Sequence, residues 1–225
     1  GEVKFMRHHS AKRFILRIYP KEGIRVTMPV RASNKAALRF VKQHKSWIEK
    51  HAGMIEEEKV FTPDTPYQTR EHALDMQPFQ RSDILVRIMR GKIIVRYPKL
   101  LEARDARVQT AARRGIELAL RREAEHLLLP RLHKLSGLTG ISYNNVRLKR
   151  MKSRWGSCSA QNNINLNVYL AQLPEHLIDY VLLHELTHVW VKNHSAQFWE
   201  ILNKLTGNKA KALDRELKQY TVDMP

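Results

Sequence analysis

Apolar and polar positions divide the chain into stretches of period two and stretches of helical period. Arg13 to Tyr19 and Gly23 to Pro29 alternate as strands do and flank the turn-forming Pro20, Lys21 and Glu22, so the region reads as a β-hairpin. From Ala32 to Glu58 the period becomes helical. Ser33 or Asn34 supplies the N-cap, and Leu38, Val41, Trp47, Ile48 and Ile55 fall on one apolar side. Pro63, Pro66 and Pro78 break up the next stretch, after which Ile84 to Met89 and Ile93 to Tyr97 form a second hairpin turning at Arg90 and Gly91.

Helical periodicity returns from Ala106 to Leu135, where Ala111, Ala112, Ile116, Leu120 and Leu127 to Leu129 are apolar, Pro130 is placed to kink the helix and Gly137 to stop it. Val146 to Met151 and Asn163 to Val168 read as strands around the turn-prone Ser153 to Ser159. In the second of these, Ile164, Leu166 and Val168 alternate with Asn165 and Asn167, giving one apolar and one polar face. As a sheet edge it would pair with an extended peptide, which makes Asn165 a candidate substrate-binding residue. Pro174 at a first helical position opens a helix running to about Lys192, and shorter helices follow near Ala196 to Leu205 and Lys209 to Tyr220. No internal repeat or low-complexity tract interrupts this order. The expectation is an α+β protein in two parts: an N-terminal β-hairpin-rich region with one helix over residues 1–105, and a second region over 106–225.

At 225 residues and 43% hydrophobic content the chain can bury a substantial core. Its net charge of +18 favours attraction to polyanions such as nucleic acid, nucleotides or an acidic membrane surface without conferring specificity. The surplus is spread, and it is densest away from the helix that opens at Pro174. A single cysteine, Cys158, excludes an internal disulfide, and no apolar run approaches the roughly 20 residues that span a bilayer. Gly1 to Ser10 lacks the apolar core of a signal peptide, so a cytoplasmic location without membrane partners is expected.

The chemistry concentrates in His184, Glu185, Leu186, Thr187 and His188, an HExxH sequence. Residues four apart share a helix face, so both imidazoles can reach one metal ion, with Glu185 beside the ion as a base for water. Such a motif arises by chance on the order of a few per cent of the time in a chain of this composition, and its surroundings decide the matter. Leu177, Ile178, Val181, Leu182, Leu183, Val189 and Val191 make the helix apolar nearly all round. Two histidines and a glutamate buried in it are costly unless paired or bound to metal. A hydrolytic zinc site takes three protein ligands and leaves a fourth position for water, and His194 supplies the third once the helix has stopped. Asn193, which tolerates the left-handed conformation, is where the chain is expected to turn. Metzincins use the same spacing but place Gly where this chain has Val191, so that subfamily fits poorly.

With these residues on view, the C-terminal part, roughly Leu138 to Tyr220, resembles the YgjP-like metallopeptidase family, a relative of the SprT-like zincins. The resemblance is carried by Met151 to Ser159, Ile164 to Asn167, Asp179 to Val181 with His184 to His188, and Asn193 to Ser195 with Phe198 and Trp199. It implies a zincin-like fold, a small antiparallel sheet against helices, and one zinc per chain, which makes residues 106–225 the expected metal-binding catalytic region. It also implies that the segment carrying Arg154 and Trp155 runs close to the catalytic helix. These two are therefore candidate substrate binders, Arg154 for a carboxylate or phosphate.

The expected activity is zinc-dependent hydrolysis of peptide bonds in peptides or unfolded proteins. Its rivals are a zinc-dependent nucleoside triphosphate hydrolase and a nucleic-acid-associated SprT-like protein. Cys158 reads as a small buried hydrophobe rather than a fourth ligand. Asp179 is a candidate to orient an imidazole, and Tyr143, Tyr169 and Tyr180 are candidate oxyanion donors, none favoured over the others.

Overall fold

The computed structural model describes residues 3–19, 23–52 and 59–222, and these form two compact units, 1–59 and 60–224. The architecture is mixed α+β. Among the described residues there are nine strands in three small sheets, together with six α-helices.

The first unit contains β1 (Val3–His8), β2 (Ile15–Tyr19), β3 (Gly23–Pro29), α1 (Asn34–Gln43) and α2 (Lys45–Ala52). The hairpin expected from alternation is present as β2 and β3, antiparallel with Ile15 opposite Thr27. Its turn residues, Pro20 to Glu22, lie outside the described residues, as does Ile55. β1 adds a third strand parallel to β3 that the pattern does not announce, because Lys4, Arg7 and His8 dilute its alternation. The single helix expected from Ala32 is two, parted at His44. Ser33 caps the first by accepting from the Ala36 N–H, and Ile48 is buried while Leu38 and Trp47 lie at the surface.

The second unit begins with β4 (Ala73–Phe79), β5 (Leu85–Met89) and β6 (Lys92–Pro98), then α3 (Ala106–Thr139). β4 contains Pro78 in a stretch expected to be broken. The sheet order β4-β6-β5 explains the tolerance, since an edge strand can carry a residue without an N–H. The helix α3 passes through Pro130 and stops at Gly140 rather than Gly137; Gly140 takes the left-handed conformation (φ 69°) of a helix C-cap. Residues 60–105, assigned from sequence to the N-terminal region, group with the helical half. The physical reason is burial: Met76, Ile93, Val95 and Tyr97 share one core with Val108, Ala112, Ile116 and Leu120 of α3.

After α3 come β7 (Asn145–Lys149), β8 (Gly156–Cys158) and β9 (Asn163–Asn167), a 3₁₀ turn at Val168–Gln172, and then α4 (Glu175–Trp190), α5 (Ala196–Leu205) and α6 (Ala210–Leu217). All three sheets share one topology, in which the last strand lies at the centre, parallel to the first and antiparallel to the second. Two polar anchors fasten the frame around α4. Fully buried Glu123 of α3 accepts from Thr69 Oγ1, from the N–H groups of Arg70 and Glu71, from His72 Nδ1 and from Gln172 Nε2. Arg131 of α3 grips Asp179 and Glu175 on the first turns of α4.

Candidate metal centre

The helix α4 is buried along most of its length, with Leu177, Ile178, Val181, Leu182 and Leu186 each at most 3% exposed. Apolar packing on nearly every side fixes its rotation, and with it the direction of His184 and His188, whose ring centroids lie 4.9 Å apart. The helix ends at Val191, whose extended backbone (φ −127°, ψ 106°) releases the chain. Asn193 shapes the return without adopting a positive φ: its Oδ1 accepts the Ser195 N–H in an Asx turn, so the left-handed turn expected there is not used. His194 is thereby brought back until its Nε2 is 3.1 Å from His184 Nε2. One ligand atom from each of His184, His188 and His194 lies within 4.8 Å of the others, the one such group among the described residues.

The donor set fits a zinc ion. Zinc–nitrogen bonds of 2.0–2.1 Å in a tetrahedral arrangement space two donors about 3.3 Å apart, close to the His184–His194 separation. His188 Nδ1 faces the Val191 carbonyl at 3.0 Å; a carbonyl only accepts, so Nδ1 carries the proton and Nε2 keeps its lone pair for a metal. Burial, and then the neighbouring imidazoles, drive the His184 pKa down to about 3; burial likewise lowers that of His188. Both rings are therefore neutral near pH 7, the form that ligates.

Phe198 of α5 is the residue that sequence reasoning left without a role. Fully buried, it places its ring 4.9, 4.5 and 4.7 Å from those of His184, His188 and His194, forming an apolar wall common to all three. Asp179, considered from sequence as a partner for an imidazole, is instead committed to Arg131. The carboxylate near His184 comes from Asp214 of α6, which accepts the Tyr180 hydroxyl at 3.4 Å and favours the charged form of His184. Tyr180 is thus engaged, Tyr143 is half-buried, and buried Tyr169 lies among the core residues.

Glu185 is 4% exposed, its Oε2 has no hydrogen-bond partner among the described residues, and burial pushes its pKa up to about 8 despite the opposing pull of the Arg154 cation. A buried ionisable group without a hydrogen-bond partner calls for a physical reason, and this one follows His184 directly on the helix that carries two of the three clustered imidazoles. The backbone of β8 lies directly on it. A Cβ at Gly156 would fall 2.5 Å from Glu185 Oε1 and 2.7 Å from its Cγ, so the residue is glycine for close approach and not for flexibility.

The loop before β8 is fixed from below by Asn167, fully buried, whose Nδ2 donates to the carbonyls of Met151 and Arg154. Arg154 is exposed close to Glu185. Trp155 is half-buried beside a cavity of about 410 Å³, also lined by Lys152, Asp214, Leu217, Lys218 and Tyr220. Asn165 does not stand at an edge: β9 is the central strand, paired with β7 and β8, and the Asn165 amide donates to Ser157 Oγ. The edge is β8. The Asn167 N–H donates to Trp155 O and the Ser159 N–H to Asn163 O, and antiparallel bonds alternate, so the backbone groups of Gly156 and Cys158 point outward from the sheet. Cys158 itself is half-buried, stands outside the histidine group, and lies 3.7 Å from Lys192 Nζ.

The family described as "YgjP-like, metallopeptidase domain" matches residues 12–220. Among solved structures, the chain is similar to the metallopeptidase zymogen of Pyrococcus abyssi abylysin, with 25% identity, 41% of this chain and 94% of that chain covered, and a TM-score of 0.37. It is likewise similar to the zymogen of Methanocaldococcus jannaschii jannalysin, with 26% identity, the same coverage and a TM-score of 0.37. No curated protein matches.

Proposed function

Because the chain belongs to the YgjP-like metallopeptidase family, we propose that it is a zinc-dependent peptidase in which His184, His188 and His194 hold one ion and Glu185 is the general base. The observation that carries this reading is the stacking of three elements: an imidazole trio, an unsatisfied buried carboxylate beside it, and a strand edge lying across that carboxylate. Bound zinc supplies a Lewis acid that polarises a carbonyl and makes water acidic enough to lose its proton near neutrality.

The chain's own residues do the rest. Glu185 takes the proton of the attacking water at a carboxylate oxygen and returns it to the leaving amine, its burial keeping bulk solvent from competing for either transfer. Phe198 keeps water from the far side of the imidazoles, and the Val191 carbonyl holds His188 in one tautomer. The outward backbone groups of Gly156 and Cys158 can receive an extended peptide as an added strand, which favours unfolded over folded substrates and reads side chains weakly. Arg154 favours a second reading, hydrolysis of a phosphoanhydride, because its cation stands close to Glu185.

The test is to incubate zinc-loaded protein with an unfolded polypeptide and, in parallel, with nucleoside triphosphates. Fragments from the polypeptide, absent with Glu185→Gln, are expected. Nucleotide hydrolysis with no peptide cleavage by any form would overturn the assignment.

A further inference from the structure

The N-terminal unit is strongly biased toward positive charge. Residues 1–59 contain 14 Lys and Arg against six Asp and Glu, and Glu49 is the one acidic residue among those described; it is spoken for by Lys45 at 3.6 Å. The geometry of α1 sorts these cations. Lys35, Arg39 and Lys42 stand at i, i+4 and i+7, one face of a helix, and all three are exposed with no ion-pair partner among the described residues. The opposite side of α1 is used internally: Ala37 is fully buried and Phe40 stacks on Phe14 at 5.3 Å. At the helix entrance Arg7 donates to the carbonyls of Val30 and Ala32 and to Asn34 Oδ1, which fixes the turn that presents Arg31.

We propose that this face of α1, with Arg31 at the helix entrance, binds the phosphate backbone of a nucleic-acid duplex. Lys35 to Lys42 spans about 10 Å of helix axis, and a duplex presents about six phosphates over that length, so the stripe meets an excess of matching charge. A membrane surface fits less well. A helix that lies on lipid needs a free apolar face, whereas that of α1 is packed inside its own unit, leaving Leu38 among the cations. Contacts of this kind go to phosphates and not to base edges, so binding is independent of sequence and steeply dependent on salt.

The experiment measures fluorescence anisotropy of a labelled 20-base-pair DNA duplex against the full-length protein over a range of KCl concentrations. Wild type is compared with Lys35→Gln/Arg39→Gln/Lys42→Gln and with a charge-matched control in the second unit, Arg87→Gln/Lys134→Gln/Lys149→Gln. Circular dichroism and melting verify that each is folded. The α1 variant is expected to lose at least tenfold in affinity at 100 mM KCl, with the slope of log K against log salt smaller by about 2 to 3; the control should lose less than threefold. Equal losses in both variants would mean that diffuse charge is responsible and would overturn the proposal. So would wild-type binding to polyglutamate or to vesicles rich in phosphatidylserine as tight as to the duplex, or an absence of salt-dependent duplex binding. Peptide cleavage plays no part in the readout, so the outcome is independent of the assignment of the metal centre.

Discussion

At the scale of single residues, the proposed site assigns metal binding to the three imidazoles and proton transfer to Glu185, and substitutions can test the two separately. Replacing His184, His188 or His194 by Ala leaves two protein ligands where a hydrolytic zinc site takes three; elemental analysis of each variant is expected to show little bound zinc, and full occupancy in any one would remove that residue from the site. Glu185→Gln keeps the shape of the side chain and loses its basicity. Zinc should remain while turnover on an unfolded polypeptide falls by about two to four powers of ten, and near-normal turnover would refute the role of base. Gly156→Ala tests the contact between strand and base, because its Cβ would sit 2.5 Å from Glu185 Oε1. The carboxylate or the strand must move, so kcat should drop with zinc content unchanged; a fully active Gly156→Ala enzyme would show that the contact is slack.

At the scale of elements, the site depends on where β8 lies and on what holds the loop leading into it. Asn167 satisfies that loop's carbonyls from a fully buried position. Asn167→Ala leaves them without donors and should cost about 2 to 3 kcal/mol of stability, read by chemical denaturation, with a rise in KM as the edge loosens. The edge itself can be probed with Cys158→Pro, which deletes an outward N–H while leaving the bonds to β9 in place. Peptide cleavage should weaken with zinc and melting temperature preserved; unchanged cleavage would argue against strand addition. The existence and type of most elements were legible in the residues. α5 follows its expected bounds, and α4 starts and stops within two residues of them, because helical periodicity and Pro174 are local signals. β8 was not legible. Three residues among serines and a glycine have no periodicity of their own, and they become a strand only through β9.

At the scale of the whole molecule, the core from Phe61 to Ala210 is continuous, linking the β4-β6-β5 sheet, α3 and the elements of the metal centre. Residues 60–225 produced alone are therefore expected to fold cooperatively and to bind zinc, with calorimetry and elemental analysis as the checks; an unfolded fragment would show that residues 1–59 are needed for stability. Zinc held by groups on and after a buried helix is also linked to folding, so a chelator should lower the melting temperature of the full chain. The chain's charge belongs to this scale too, since its densest excess lies in the unit that does not contain His184, His188 and His194.

Spacing along the chain was enough to specify the candidate ligating trio and the carboxylate proposed as its base, since HExxH on an apolar helix and a histidine six residues on are relations between near neighbours, where helical geometry converts spacing into direction. It was enough also for the α+β alternation, through periods of two and 3.6. Which strand faces the base was settled by folding, because Asn163–Asn167 has the better strand pattern and is for that reason enclosed on both sides, leaving the poorly patterned β8 at the edge. Folding likewise settled that Asp179 serves Arg131 and that Phe198 backs the imidazoles. Those partners lie 48 residues away in the first case and on a separate helix in the second, and no local period encodes a contact between surfaces that meet only when the chain has folded.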